Sequence, residues 1–336
     1  MSFRPRPAVG VVMVVSAASF FALNGTVSKL ILQAGVQPRD LATFRALGAC
    51  LGLVLLGTLL SPGIRRFRLA RKDIPLILAY GVTGFFAVPM LYFTAISRLP
   101  VGIGLLFEFT APVFVALWFR FGQRQPVRAR LWAGLALSLA GLACVAEVWG
   151  NFTLDGLGVA AGLASAVLLA AYYLMGARGV TKRDSVSLTG LGFGVSAIAG
   201  FASRAVMGGV PDWQALTGVT DRGVPVWALA VYLLIFGTII PYLLIVGTLR
   251  HLPATSASII GMTEPVLASA VAWVAIGERL NPAQLAGGTV LLLGVVLAET
   301  ARVSVGQNGP HVRGEHDPAG DTAQPAPQRD SSPAAA

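Results

Sequence analysis

Ten apolar runs, each about the 20 residues that a helix needs to cross a hydrocarbon layer, leave this chain few folds to adopt. They cover 9–32, 41–60, 74–97, 101–119, 131–149, 156–177, 186–207, 226–249, 253–276 and 282–301. Hydrophobic residues make up 55% of the chain and charged residues 12%, about half the charged share of a soluble domain. The expected class is an all-α integral membrane protein with ten transmembrane helices.

Where the charges fall explains the net charge of +10. With the N-terminus placed inside, the loops on the cytoplasmic side collect fifteen Lys and Arg residues, among them Arg65 to Lys72 and Arg120 to Arg130. The other side collects five, namely Arg39, Arg98, Arg204, Arg222 and Arg279. That asymmetry follows the positive-inside rule and puts both termini in the cytoplasm, as a multi-pass protein of the cell (inner) membrane. The basic balance thus reports topology among membrane lipids and gives no reason to expect nucleic acid. The first run ends in "NGTVSKL" without a small-residue cleavage site, so it reads as a retained helix. Residues 302–336 turn to Gly, Pro, Asp, Gln and Ala, a composition expected to form a disordered cytoplasmic tail.

Sliding the sequence against itself by 153 residues aligns Leu99, Pro100, Thr110, Pro112, Val113, Ala133, Gly134 and Gly141 with Leu252, Pro253, Thr263, Pro265, Val266, Ala286, Gly287 and Gly294. Matched Pro and Gly pairs in one register indicate a duplication, with repeats at 8–150 and 155–301. Five spans in each copy is an odd number. The first copy must end outside, so the second starts outside and the two halves are inverted, the arrangement that underlies alternating access in many secondary transporters. Pro89 and Pro241, and Pro112 and Pro265, fall within spans of the two halves. Each proline removes a backbone hydrogen bond, which a membrane tolerates where neighbours or a hydrated cavity satisfy the freed carbonyl. They mark either shape-setting kinks or a cavity at the repeat interface.

Two carboxylates sit deep in these runs. Glu108 lies in "GLLFEFTAPVFVALW" and Glu264 in "GMTEPVLASAVAWVAIGERL". A charged carboxylate at the middle of a membrane helix costs about 2.5–3.5 kcal/mol even on an insertion scale. Small residues at helical spacing beside both (Gly104, Ala111 and Pro112; Ala257, Gly261 and Ala268) turn them toward the bundle. Each is either a protonated side chain bonding a kinked helix or a group that exchanges a proton or meets a cation. The second reading is preferred. Asn24 either joins the same cavity or bonds nearby backbone. Lys29 and Arg45 fall near the outer ends of their spans, placed to snorkel to the interface or to attract an anion. Tyr92 and Tyr242 offer ring faces and hydroxyls to a ligand, or simply pack. Glu278 and Arg279 read as an interfacial turn.

The chain has no GxxxxGK[ST] phosphate loop, no HExxH and no clustered metal ligands, and Cys50 and Cys144 lie in separate spans. No cofactor, metal or enzymatic activity is expected.

The paired "LP" before spans four and nine, "FEFTAPVFVALW" and "TEPVLASAVAWVAIGERLNPAQLAGGTVLLLGVVLAE" resemble the EamA domains of the drug/metabolite transporter superfamily, over about residues 8–301. "GER" at 277–279 is answered by "GQR" at 122–124, where Gln123 replaces the motif's glutamate. The phrasing at Glu108, Phe109 and Pro112 looks most like the threonine/homoserine exporter branch. The resemblance implies a ten-helix inverted-repeat transporter that exports amino acids, small metabolites or drugs by proton-coupled alternating access. Its implied partner is a small-molecule substrate, its implied state a monomer or homodimer, and its implied cavity includes Glu108 and Glu264. The alternatives are a lipid-carrier flippase and a non-transporting membrane scaffold.

Overall fold

The computed structural model describes residues 5–60, 65, 67–149, 155–206, 209–221, 223–276 and 281–301. The "GER" element with Glu278 and Arg279, and the tail at 302–336, lie outside them. Among the described residues the protein is helical throughout and no strand forms.

The helices in chain order are α1 (Pro7–Phe21), α2 (Asn24–Gln33), α3 (Pro38–Leu59), α4 (Ile74–Tyr80), α5 (Val88–Arg98), α6 (Val101–Glu108), α7 (Ala111–Leu117) and α8 (Ala129–Val145). They continue with α9 (Gly156–Gly179), α10 (Ser185–Val206), α11 (Val226–Leu234), α12 (Ile240–Thr248), α13 (Ala254–Gly261), α14 (Glu264–Ile276) and α15 (Pro282–Thr300). Wider π-helical turns, Gly81–Ala87 and Ile235–Ile239, join α4 to α5 and α11 to α12. Among the described residues, eight stretches are long and apolar enough to cross a membrane, two of them (Pro7–Gln33 and Val101–Gly122) containing a break. The sequence leads one to expect ten; the runs 131–149 and 253–276 are not among these eight. The run 131–149 yields only the 17-residue α8, because the chain turns after Val145 and passes through Glu147 at a positive φ of 50°. The run 253–276 forms α13 and α14, separated by a break at Met262–Thr263.

That interruption has a twin. Pro112 has no N–H for the carbonyl of Glu108, and Pro265 has none for that of Gly261, so each helix opens one turn before its proline. In the first break the Thr110 N–H bonds Phe107 O at 3.1 Å and the Thr110 hydroxyl bonds the same carbonyl at 2.7 Å. In the second, the Thr263 N–H bonds Ile260 O at 3.0 Å and the Thr263 hydroxyl bonds it at 2.8 Å. The two patterns coincide after a shift of 153 residues. The π-helical turns also recur, each one residue before the helix that carries Pro89 or Pro241.

α8 and α15 meet through glycines. A Cβ on Gly134 would stand 2.5 Å from Ala298 N, and one on Gly294 would stand 2.5 Å from Ser138 N. A Cβ on Gly141 would stand 2.6 Å from Gly287 O, and one on Gly287 would stand 2.9 Å from Val145 N. The partner number falls as the residue number rises, so the two helices run antiparallel with their backbones in close approach. α3 and α10 are antiparallel as well. Asp40 faces Arg204, Thr43 faces Gly200 and Leu53 faces Gly190. Large apolar side chains such as Leu51, Leu55, Ile198, Leu293 and Val296 point outward, as a lipid-facing surface requires.

At one end of the α3/α10 pair, Arg204 Nε lies 2.9 Å from Asp40 Oδ1 and Nη2 donates to Oδ2 at 3.0 Å. The Asp212 N–H also donates to Asp40 at 3.4 Å, which ties the following loop to the pair. Asp40 is 1% exposed. Its replacement by Ala is expected to cost about 2 kcal/mol of stability, because it strands Arg204 and frees the loop. A double-mutant cycle with Arg204→Ala, read by thermal unfolding in detergent, checks this. The double variant should recover part of the loss.

Candidate functional site

Breaks and wide turns concentrate around one cavity. The end of α6 carries Glu108 and the start of α14 carries Glu264, so both carboxylates sit where a helix is interrupted. Asn24 opens α2 just after the Ala22–Leu23 break, and Tyr92 and Tyr242 follow the π-helical turns on α5 and α12. These residues line the cavity together with Arg45 of α3. It leaves the centre of a water-sized sphere about 90 Å³ to occupy, several times what one water needs.

Neither carboxylate forms a hydrogen bond or ion pair with a described residue, and part of each stays exposed to the cavity. They are close enough for their charges to act on one another, and Arg45 is close enough to act on Glu108. Glu264 also heads a 13-residue helix, where aligned peptide dipoles favour negative charge.

Arg45 is turned into the bundle instead of snorkelling outward. It is 5% exposed and held among aromatic rings, its guanidinium 5.2 Å from the ring centre of Phe93 and 5.5 Å from that of Tyr242. Nη2 donates to the Tyr242 hydroxyl at 3.4 Å, while Nε is buried without a hydrogen-bond partner. Lys29 stands apart from the cavity. Its ammonium donates to Leu99 O at 2.9 Å, just past the end of α5, a position that favours a cation.

The wall also holds Tyr172 and Tyr173, which the sequence reading passed over. Tyr172 packs against the π-helical turn because Gly84 has no side chain there. The ring centres of Tyr172 and Tyr242 are 6.2 Å apart. The Tyr173 hydroxyl faces Gly261, whose carbonyl Pro265 has freed. The only signal in the sequence is a tandem tyrosine in an apolar helix, "AAYYL".

Residues 8–146 and 156–300 match the EamA-like transporter family. The chain belongs to that family. This EamA-family chain is 27% identical to the uncharacterized transporter YdfC of Bacillus subtilis (strain 168), over 78% of this chain and 81% of that one. It is 29% identical to the threonine/homoserine exporter RhtA of Escherichia coli (strain K12), over 75% of this chain and 78% of RhtA. A solved crystal structure with 18% identity superposes with a TM-score of 0.69 over 88% of this chain and 99% of that one, which shows a shared fold.

Proposed function

We propose that this EamA-family membrane protein is a secondary transporter that exports small amphoteric solutes, with amino acids first, by proton-coupled alternating access. The observation that carries the reading is the composition of the cavity. Arg45 and Glu108 come from the first repeat (8–150) and Glu264 from the second (155–301), so a single chamber between the repeats offers one cation and two carboxylates. A zwitterion presents the complementary charges: its carboxylate suits Arg45 and its ammonium suits a glutamate. The second glutamate is then free to carry the proton that couples transport to a gradient. RhtA, a threonine/homoserine exporter by name, points to the same solute class.

Ten spans follow when α8 and the pair α13/α14 are added to the eight stretches. Support for inversion comes from α8 and α15. Gly134 meets Ala298 and Gly287 meets Val145; Gly141 meets Leu291 and Gly294 meets Ser138. Shifting by 153 residues exchanges the members of each set, as a two-fold axis between the repeats demands. Because these helices are antiparallel, the axis runs across them, within the membrane plane.

Reporter fusions after Lys72 and after Trp149 test the topology. They are expected to give cytoplasmic and external signals respectively, with both termini on the cytoplasmic side. The same sidedness at both sites removes the inverted model. Uptake into proteoliposomes from a panel of amino acids and cationic drugs, with and without an imposed pH gradient, tests the function. Equal accumulation in protein-free vesicles overturns it.

A further inference from the structure

A second hollow shares a single lining residue with the first. Between α3 and α11 lies an apolar groove of about 320 Å³, where Leu41, Phe44 and Gly48 face Trp227, Ala230 and Leu234. Trp213 closes one end, its ring centre 4.4 Å from that of Phe44. The rim is open on the outward face of the bundle: Leu51 is 61% exposed and Trp227 59%. Arg45 lines both this groove and the central cavity, and it is the one described residue that they share.

We infer that the groove is a lateral branch of the solute site, which takes the hydrocarbon tail of a single-chain amphipathic carboxylate while its head group pairs with Arg45. Arg45 is buried, its Nε has no hydrogen-bond partner, and no carboxylate lies within 4 Å of it among the described residues. A buried guanidinium with no carboxylate in contact is costly, and its planar fork matches a carboxylate with two parallel hydrogen bonds. The apolar lining suits a chain of methylenes and offers almost nothing to a polar solute. The small central cavity suits a compact head. The inference extends the transporter reading and rests on it for the consequence that such anions are carried; binding itself needs no transport.

The test uses the full-length protein in phosphatidylcholine vesicles, titrated with 12-bromododecanoate. Bromine quenches tryptophan on contact, and Trp213 and Trp227 report from the groove. Saturable quenching is expected, and Trp213→Phe/Trp227→Phe should remove it. Arg45→Gln should weaken the midpoint at least about tenfold, the scale of one lost charge-assisted hydrogen-bonding group. Arg45→Lys should keep binding within several-fold. Ala230→Phe, which fills the groove while leaving Arg45 in place, should abolish saturation. Equal, unsaturable quenching by 1-bromododecane overturns the inference, as does equal quenching by brominated phosphatidylcholine, which would make the groove a seat for bulk lipid. Amino-acid counterflow in the same vesicles separates the two ideas. Counterflow without saturable quenching sinks the lateral branch alone, and quenching without transport of any solute sinks the transporter reading alone.

Discussion

Glu264→Gln is expected to insert and fold as the parent does, yet to drive solute no faster than empty vesicles when a pH gradient is imposed. The substitution keeps the shape and hydrogen-bonding capacity of the side chain and removes only its titration. Glu264 borders the cavity, makes no hydrogen bond or ion pair with a described residue and feels the charge of Glu108. A carboxylate with that freedom has no structural bond to lose, so a merely architectural role predicts no change. Counterflow at equal pH on both sides should survive better than gradient-driven transport, because exchange needs no net proton movement. Glu264→Ala is a poorer probe, since it also empties volume beside the break. Normal rates with an unchanged pH profile in the Gln variant would assign coupling to Glu108 instead, and Glu108→Gln in the same assay would then carry the loss.

The parts of this site that were legible in the sequence are those written in backbone chemistry. Pro112 and Pro265 announce where hydrogen bonds must fail, and the helices open one turn earlier, at Phe109–Thr110 and Met262–Thr263. The repeat register of 153 residues, read from matched prolines and glycines, also aligns the hydroxyl bonds of Thr110 and Thr263. Other features depend on tertiary partners that no local pattern encodes. Arg45 reads as either a snorkelling or an anion-attracting cation because its position along the span gives depth but not direction, and the rings of Phe93 and Tyr242 that enclose it come from other helices. Tyr172 belongs to the cavity because Gly84, nearly ninety residues earlier, leaves it room. Span five is shorter than its apolar run because Glu147, which accepts a hydrogen bond from Asn281 Nδ2, belongs to a turn rather than to the helix.

Gly141→Leu should be the most damaging single change outside the cavity. Gly141 lies where α8 and α15 approach backbone to backbone, so that a Cβ there would stand 2.6 Å from Gly287 O and 2.8 Å from Leu291 Cα. Ordinary overpacking costs about 1–3 kcal/mol because flexible side chains move aside. Here the obstacles are main-chain atoms of a regular helix, so the helices themselves must part, and the expected loss exceeds about 3 kcal/mol. Parting them also breaks the weaker tie from the Ser138 hydroxyl to Leu291 O at 3.4 Å and opens the glycine contacts on either side. The variant should appear as a large drop in melting temperature in detergent, or as failure to accumulate in the membrane. Gly194→Ala serves as the comparison, because a Cβ there would meet only Cys50 Sγ at 3.4 Å, and its effect should be small. If both variants melt alike, the α8/α15 contact does not hold the two repeats together, and the two-fold argument built on it loses its energetic basis.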